Sequence, residues 1–252
     1  MKYELQTAIY LLILLTLTDF IGLSAIINST STEVRPQQEG GGAYILISVI
    51  VMTLIFYVLV RFKLNKVIKM WLATAVLISL FISFSSFVPE MLALIVAIVM
   101  TVLRMSSKDI YVHDLTEIFI YGGIVSLFAP LFTPLSALIT LGIIAVYDYI
   151  SVFVTKHMIY LAKAQSDLNL FSGLVVRNRG ELAMLGGGDI AFSLLFASVV
   201  GRTFGLPYAF LSIYVTLISL SILIFLGKKD RFYPAMPFIA GGCFISYLIC
   251  LI

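Results

Sequence analysis

Long apolar runs separated by short polar stretches make up most of this 252-residue chain. A transmembrane helix needs about 20 consecutive apolar residues, and runs of about that length recur from one end of the chain to the other. We predict nine membrane-spanning helices, at residues 7–28, 43–61, 69–88, 90–104, 115–130, 131–155, 187–202, 206–227 and 233–252. The expected fold class is an all-α polytopic membrane protein. The fourth and fifth spans are short with poorly defined ends, so eight or ten spans are the alternatives.

This pattern predicts a single membrane-embedded domain over residues 1–252. Spans one to six occupy residues 1–155, a cytoplasmic loop covers 156–186, and spans seven to nine occupy 187–252. The composition agrees with a membrane protein, since 61% of the residues are hydrophobic, 12% are charged and the mean hydropathy is +1.11. A soluble domain would carry about 25% charged residues.

The basic residues fall almost entirely on one side of the predicted bundle. With nine spans, fourteen of the sixteen Lys and Arg residues lie at the N-terminus or in alternate loops, and only Arg35 and Arg202 lie on the other side. Cytoplasmic loops of membrane proteins carry the excess of Lys and Arg. We therefore expect a multi-pass protein of the cell membrane with a cytoplasmic N-terminus and an external C-terminus. The net charge of +3 follows from this orientation and does not indicate nucleic-acid binding.

Three aspartates lie inside apolar runs: Asp19, Asp148, within a Val-Tyr-Asp-Tyr sequence, and Asp189, directly after three glycines. The last two form a candidate pair. A charged side chain in hydrocarbon costs at least ~2.5 kcal/mol on insertion scales, so an intramembrane aspartate is a functional-site hypothesis by default. Asp148 lies eight residues before Lys156, and Asp189 lies eight residues after Glu181. If both stretches are helical, each carboxylate is about 12 Å from these cytoplasmic charges. We therefore expect the pair at one depth on neighbouring antiparallel helices.

Two facing carboxylates in a low-dielectric site cannot both ionise cheaply, so the pair holds one shared proton. The ionised member can take a proton from water while the protonated member donates to a carbonyl oxygen. This is the arrangement of an aspartic protease, and it needs no metal or other cofactor. Buried aspartate pairs also occur in proton-coupled transporters and ion pathways, so the residues alone leave protease and transporter equally open. The glycines before Asp189 allow another backbone or a substrate to approach closely.

Three motifs in order resemble the signatures of the presenilin and signal peptide peptidase family: Tyr147-Asp148, Gly186-x-Gly188-Asp189 and Pro234-Ala235-Met236. The resemblance covers the whole chain, and the short loops indicate a microbial, presenilin-like member. It implies a nine-span intramembrane aspartyl protease with Asp148 and Asp189 as catalytic residues. It also implies site-shaping or substrate-binding roles for Tyr147, Gly186, Gly188, Pro234, Ala235 and Met236. Met236 departs from the Leu of the family motif, but the two side chains are close in volume.

The resemblance also implies the partners. The substrates would be single-span transmembrane proteins or peptides with an external N-terminus, held in the lipid bilayer. The sequence leaves open which substrate is cut and whether the chain works alone or as a homo-oligomer. Prepilin peptidases also carry a Gly-x-Gly-Asp motif, but there a basic residue usually follows the aspartate closely, and here Ile190, Ala191 and Phe192 follow. They remain a second alternative beside the transporter.

Other acidic residues lie near or within the predicted spans. Asp19, in the middle of the first span, is a third titrating group, an ion ligand or, as we favour, a polar contact between helices or with a hydrated cavity. A further cluster lies before the fifth span, and we favour a solvated helix entry over a metal site for it: Asp109, His113, Asp114 and Glu117.

The segments 170–176 and 182–185 of the cytoplasmic loop are apolar but too short to span a bilayer. The first contains β-branched residues, which favour strands. Part of this loop either forms an edge strand that pairs with an unwound substrate or is an interfacial linker.

Overall fold

A computed structural model describes residues 5–29, 64–107, 109–153, 171–178, 181–227 and 233–252, and the single residues 51, 55, 61 and 62. Within these ranges the chain forms eight α-helices and one β-hairpin. They are α1 Leu5–Ser29, α2 Asn65–Ser85, α3 Glu90–Ser106, α4 Ile110–Phe128, α5 Pro134–Phe153, β1 Gly173–Asn178, β2 Glu181–Gly186, α6 Gly187–Phe204, α7 Leu206–Leu226 and α8 Met236–Cys250. The predicted second span, 43–61, lies almost wholly outside the described residues.

The other eight predicted spans each coincide with one of these helices, which confirms the mainly helical class of a multi-pass membrane protein. In the part of the chain that the structure describes, five helices are long and apolar enough to cross a membrane: Leu5–Asn28, Lys66–Ser85, Ile110–Leu131, Pro134–Phe153 and Leu206–Leu226. Helices α3 and α8 are shorter, with 17 and 15 residues. The count of nine spans and the orientation of the termini stay predictions.

The start of α5 differs from its predicted position because of local turn chemistry. A short 3-10 turn, Ala129–Leu131, follows α4, and α5 begins at Pro134. Thr133 and Ser136 cap the helix reciprocally, since each backbone N–H donates to the other's hydroxyl oxygen, at 2.8 and 3.1 Å. Proline is tolerated in the first helical turn because its missing N–H would have no partner there.

Helix α6 lies at the centre of the bundle and carries Asp189 in its first turn. It packs against α1, α4, α5, α7 and α8, and every residue from Ser193 to Val200 is buried. A helix that is apolar on all sides belongs in the interior. The second aspartate is therefore held on an element that other helices fix from several directions.

Helix α4 is tightly packed between α1 and α2. A Cβ atom added at Gly123 would lie 1.9 Å from the carbonyl oxygen of Ser79 in α2. A Cβ atom added at Gly122 would lie 3.1 Å from the Cα atom of Gly22 in α1. The two glycines thus let three helix backbones approach closely, and they leave α4 little freedom to shift.

The hairpin connects the motif helices α5 and α6, with Gly173 opposite Gly186 and Val175 opposite Met184. This confirms that the loop contains strands. Strand β1 packs against α1 and α4, and its Leu174 side chain is fully buried. The hairpin also shows that the depth argument for Asp189 was wrong in its geometry. Residues 181–186 are strand, which rises about 3.3 Å per residue rather than 1.5 Å.

Candidate active site

Asp148 lies near the C-terminal end of α5, on the side that packs against α6 and α8. Its side chain is buried, with 8% of the residue exposed. The oxygen Oδ2 accepts a hydrogen bond from the backbone N–H of Met236, with an N···O distance of 3.3 Å. Met236 is the first residue of α8, where backbone N–H groups have no partner within the helix. The aspartate therefore provides an acceptor for one of these free donors.

Asp189 is the third residue of α6, and its carboxylate folds back over the preceding glycines. A Cβ atom at Gly186 would lie 3.2 Å from Oδ2 of Asp189, so a side chain there would crowd the carboxylate. A Cβ atom at Gly188 would lie 3.7 Å from the Cε atom of Met236. Met236 therefore touches both motifs, with its backbone at Asp148 and its side chain beside the residue that precedes Asp189.

The remaining motif residues divide into two groups. Pro234 is buried and Ala235 is half-buried at the start of α8, directly before Met236. Tyr147 points outward, with 60% of its surface exposed, and so does Tyr149 on the other side of Asp148. The structure thus brings Asp148, the glycines and Met236 together and leaves the ring of Tyr147 on the outer face of α5.

The acidic cluster at the start of α4 is not a solvated helix entry. Asp109 does cap the helix, because its Oδ1 accepts from the backbone N–H of Tyr111 at 3.1 Å. Glu117 is fully buried and Asp114 is 7% exposed. The described residues contain no group of three or more His, Cys, Asp and Glu that could hold a metal ion. The sequence did indicate that Glu117 is not solvated, because the predicted fifth span, 115–130, already included it.

Glu117 belongs to a buried polar network that joins α3 to α4. Its Oε1 pairs with Nη2 of Arg104, near the end of α3, and its Oε2 accepts from the hydroxyl of Tyr121. Nη1 of Arg104 donates to the Thr116 hydroxyl at 2.6 Å and to the His113 carbonyl oxygen at 3.2 Å. Both carboxylate oxygens are thus bonded, as a buried charge requires.

Two side chains near the start of α4 also form hydrogen bonds with the hairpin. Nε2 of His113 lies 2.9 Å from the carbonyl oxygen of Gly173. Oδ1 of Asp114 accepts from the backbone N–H of Val175 at 3.0 Å. Both contacts are made by main-chain groups of β1, so two side chains of α4 occupy the outer edge of this strand.

Asp19 is buried in α1, with 3% of the residue exposed. Its Oδ1 has no hydrogen-bond partner among the described residues. The neighbouring Phe20 ring stacks on Phe210 of α7 at a centroid distance of 5.4 Å, so this part of α1 faces α7. The role of Asp19 stays a prediction.

Comparisons with known proteins agree with this architecture. The family described as "Signal-peptide peptidase, presenilin aspartyl protease" matches residues 7–252. Two solved structures, each described as a presenilin family intramembrane aspartate protease, are similar in fold. The one in space group C222 has 22% identity and a TM-score of 0.75, covering 97% of this chain and 98% of that chain. The one in space group P2 has 22% identity and a TM-score of 0.73, covering 98% and 97%. No significant match is found among curated proteins.

Proposed function

Because this chain belongs to the signal-peptide peptidase and presenilin family of aspartyl proteases, we propose that it cleaves transmembrane helices of membrane proteins, with Asp148 and Asp189 as its catalytic pair. The observation that carries this assignment is the position of Met236. Its backbone N–H donates to Asp148, and its side chain lies beside Gly188, next to Asp189. All four residues lie within the part of the chain that the family matches.

In the proposed reaction the two aspartates share one proton and hold the attacking water. The ionised aspartate takes a proton from the water as the water oxygen bonds to the substrate carbonyl carbon. The other aspartate donates its proton to the carbonyl oxygen. The resulting tetrahedral diol then collapses and the C–N bond breaks. The leaving nitrogen takes up the proton of one aspartate, while a hydroxyl of the diol returns its proton to the other aspartate. The products are a carboxylic acid and an amine, and the pair again holds one proton. General acid–base catalysis of this kind contributes about 10²- to 10⁴-fold in rate.

The neighbours of the pair have supporting roles in this proposal. The N–H of Met236 fixes one oxygen of Asp148, which leaves the other oxygen for the water. The absence of a side chain at Gly186 gives the Asp189 carboxylate room. Pro234 and Ala235 set the start of α8 and thereby the position of Met236. The exposed ring of Tyr147 is available to contact a substrate helix that approaches α5 from the bilayer.

A peptide bond in a transmembrane helix has its polar groups satisfied, so the helix must unwind before it is cut and the freed groups need new partners. We infer that strand β2 supplies them by strand addition. The outer edge of β1 is occupied, because Val175 donates to Asp114 there. Donor directions alternate along an antiparallel ladder, so Met184, opposite Val175, directs its backbone groups to the edge of β2 that faces away from β1. A substrate strand at this edge would end near Gly186, three residues before Asp189.

The topology of the proposed enzyme follows from the charge distribution. Nine spans in one membrane domain, with a cytoplasmic N-terminus, place fourteen of the sixteen Lys and Arg residues on the cytoplasmic side. The loop 156–186 is then cytoplasmic, between the segments 1–155 and 187–252. We propose that the protein lies in the cell membrane and that its substrates are single-span helices with an external N-terminus.

The test is cleavage of a generic single-span substrate by the purified protein in detergent. The wild type should release peptide products, and Asp148→Ala and Asp189→Ala should release none while remaining folded. Substantial proteolysis by either variant would refute the pair. A transporter would behave differently: it would carry ions or solutes across liposomes, both substitutions would abolish that flux, and no peptide product would form.

A further inference from the structure

Gly187, the middle glycine before Asp189, lies in close contact with α4. A Cβ atom added there would lie 2.6 Å from the hydroxyl oxygen of Tyr121 and 3.0 Å from Oγ of Ser172. A Cβ atom at Gly188 would meet its nearest neighbour at 3.7 Å. The hydroxyl of Tyr121 thus occupies the space that a side chain at position 187 would take.

The main chain at Gly187 is held from a second direction. Its backbone N–H donates to the carbonyl oxygen of Ser172, directly before β1, at 3.0 Å. Gly187 begins α6, and Asp189 lies two residues further on in the same turn. A displacement of Gly187 therefore displaces the aspartate.

Tyr121 is itself fixed in place. It is 1% exposed, and its hydroxyl donates to Oε2 of Glu117. The other oxygen of Glu117 pairs with Arg104, whose side chain is 7% exposed. Hydrogen bonds to ionised groups are about twice as strong as neutral ones, so the ion pair holds the tyrosine hydroxyl firmly. The contacts form one series from α3 through α4 to the first residue of α6.

We propose that Tyr121, held by the buried Glu117–Arg104 pair, is a positioning residue that sets the place of Asp189 through Gly187. The inference rests on the proposed function, since it takes Asp189 as catalytic. Glu117 and Arg104 act through Tyr121 and touch no reacting atom. Without the tyrosine hydroxyl, the first turn of α6 gains room to move, and Asp189 loses its alignment with Asp148. Substrate binding at the edge of β2 is not altered by this change.

The first test is Tyr121→Phe, which removes the hydroxyl alone. Displacements of about 1 Å at a catalytic group can cost up to about 100-fold in rate, so we expect kcat to fall by about tenfold to 100-fold. KM should stay within about twofold of the wild-type value, because the site for substrate pairing is intact. Tyr214→Phe, at a tyrosine of α7 that is 52% exposed, is the matched control and should keep wild-type kinetics. An unchanged kcat in Tyr121→Phe overturns the proposal.

The second test measures the contact without activity. In the wild-type background Gly187→Ala forces a methyl group against the tyrosine hydroxyl and should lower the thermal unfolding midpoint. In the Tyr121→Phe background the same substitution should lower it much less, so the two changes are non-additive. Gly142→Ala is the control, because a Cβ atom there meets nothing within 4 Å, and its effect should be additive with Tyr121→Phe. Additive effects of Gly187→Ala and Tyr121→Phe would contradict the contact.

The third test concerns the ion pair. Glu117→Leu combined with Arg104→Met replaces both charges by apolar side chains, which is often tolerated where a single removal is not. The double variant leaves the hydroxyl of Tyr121 without its acceptor. It should be folded, with kcat lowered as in Tyr121→Phe and KM near the wild-type value. A folded double variant with wild-type kcat would remove Glu117 and Arg104 from the positioning role.

These outcomes separate the inference from the proposed function. If wild type cleaves, the aspartate variants do not, and Tyr121→Phe cleaves normally, the positioning role is wrong and the protease stands. If the wild type releases no peptide, the protease assignment fails. The unfolding measurements on Tyr121 and Gly187 then still decide whether the hydroxyl fixes the first turn of α6.

Discussion

Two of the buried carboxylates of this protein, Glu117 and Asp148, differ in how fully their oxygens are bonded. Glu117 is fully buried, and its two oxygens are taken by the Arg104 guanidinium and the Tyr121 hydroxyl. Asp148 is 8% exposed, and its partner among the described residues is one backbone N–H, that of Met236, at 3.3 Å. A buried carboxylate without a cationic partner is costly. A protein retains such a group where its open oxygen has a use.

The comparison therefore separates a carboxylate that holds the structure from one that is free to react. The Glu117 site joins α3, α4 and, through Tyr121, the start of α6. The Asp148 site lies where α5, α6 and α8 meet, and it leaves an oxygen for a further ligand. Removing one member of the ion pair at the first site should mainly cost stability, and substitutions at the second should mainly cost activity.

The largest expected effect is on cleavage by the aspartate variants. Asp148→Asn or Asp189→Asn keeps the side-chain shape but removes the carboxylate that exchanges protons. Cleavage should fall by at least about 100-fold, the lower end of a general acid–base contribution. The thermal unfolding midpoint should be unchanged or higher, because a carboxylate is removed from a buried position at Asp148 and from a half-buried one at Asp189. Asp109→Asn is the matched control, since asparagine caps a helix as well as aspartate. If Asp148→Asn clearly fails to fold, Asp148 supports the structure as Glu117 does, and the proposed difference between the two sites is wrong.

The next effect is on stability. Glu117→Ala leaves the guanidinium of Arg104 buried without its partner, which should lower the free energy of unfolding by about 3–5 kcal/mol. Thermal or denaturant unfolding in detergent measures this. Glu90→Ala, at an exposed glutamate that begins α3, should change stability far less. If Glu117→Ala unfolds at the wild-type midpoint, the network does not support the structure.

A smaller effect is expected at the edge of β2 that faces away from β1. Met184→Pro removes an N–H that points away from β1, so the hairpin should stay formed while a pairing substrate loses one donor. The loss of one net hydrogen bond corresponds to about a fivefold to tenfold weaker interaction, visible as a lower kcat/KM. Ala183→Pro removes a donor that pairs with β1 and should disturb the hairpin itself. Normal cleavage by Met184→Pro would argue against substrate addition to β2.

The helices were predictable because the membrane makes length and polarity the main constraints on each span. The three motifs could also be recognised from the sequence, since each consists of a few neighbouring residues. The start of α5 was missed by three residues, because the capping pair Thr133 and Ser136 was not recognised. The position of Asp189 was argued from a helical rise through residues 181–186, and that segment is a strand.

The network around Glu117 could not be derived from the sequence, because its contacts cross between separate helices and to the hairpin. His113 contacts Gly173, which lies sixty residues later in the chain. Arg104 of α3 contacts Glu117 of α4. Periodicity assigns a residue to a helix, but it does not say which side chain on another helix it meets. The presence of Glu117 inside a predicted span was the one local indication that it is not solvated.

The smallest expected effect is at Met236, where the family motif has leucine. Asp148 accepts from the backbone N–H of Met236, which any residue except proline retains. The Met236 side chain meets Gly188 only through its terminal methyl group, at 3.7 Å from an added Cβ atom. Met236→Leu conserves volume, so stability should change by less than about 1.5 kcal/mol, and kcat should stay within about twofold. Met236→Ala keeps the same N–H but opens a gap beside Gly188, and it should be the more damaging of the two. If Met236→Leu instead loses as much activity as Asp148→Asn, the methionine side chain, and not the backbone donor, organises the pair.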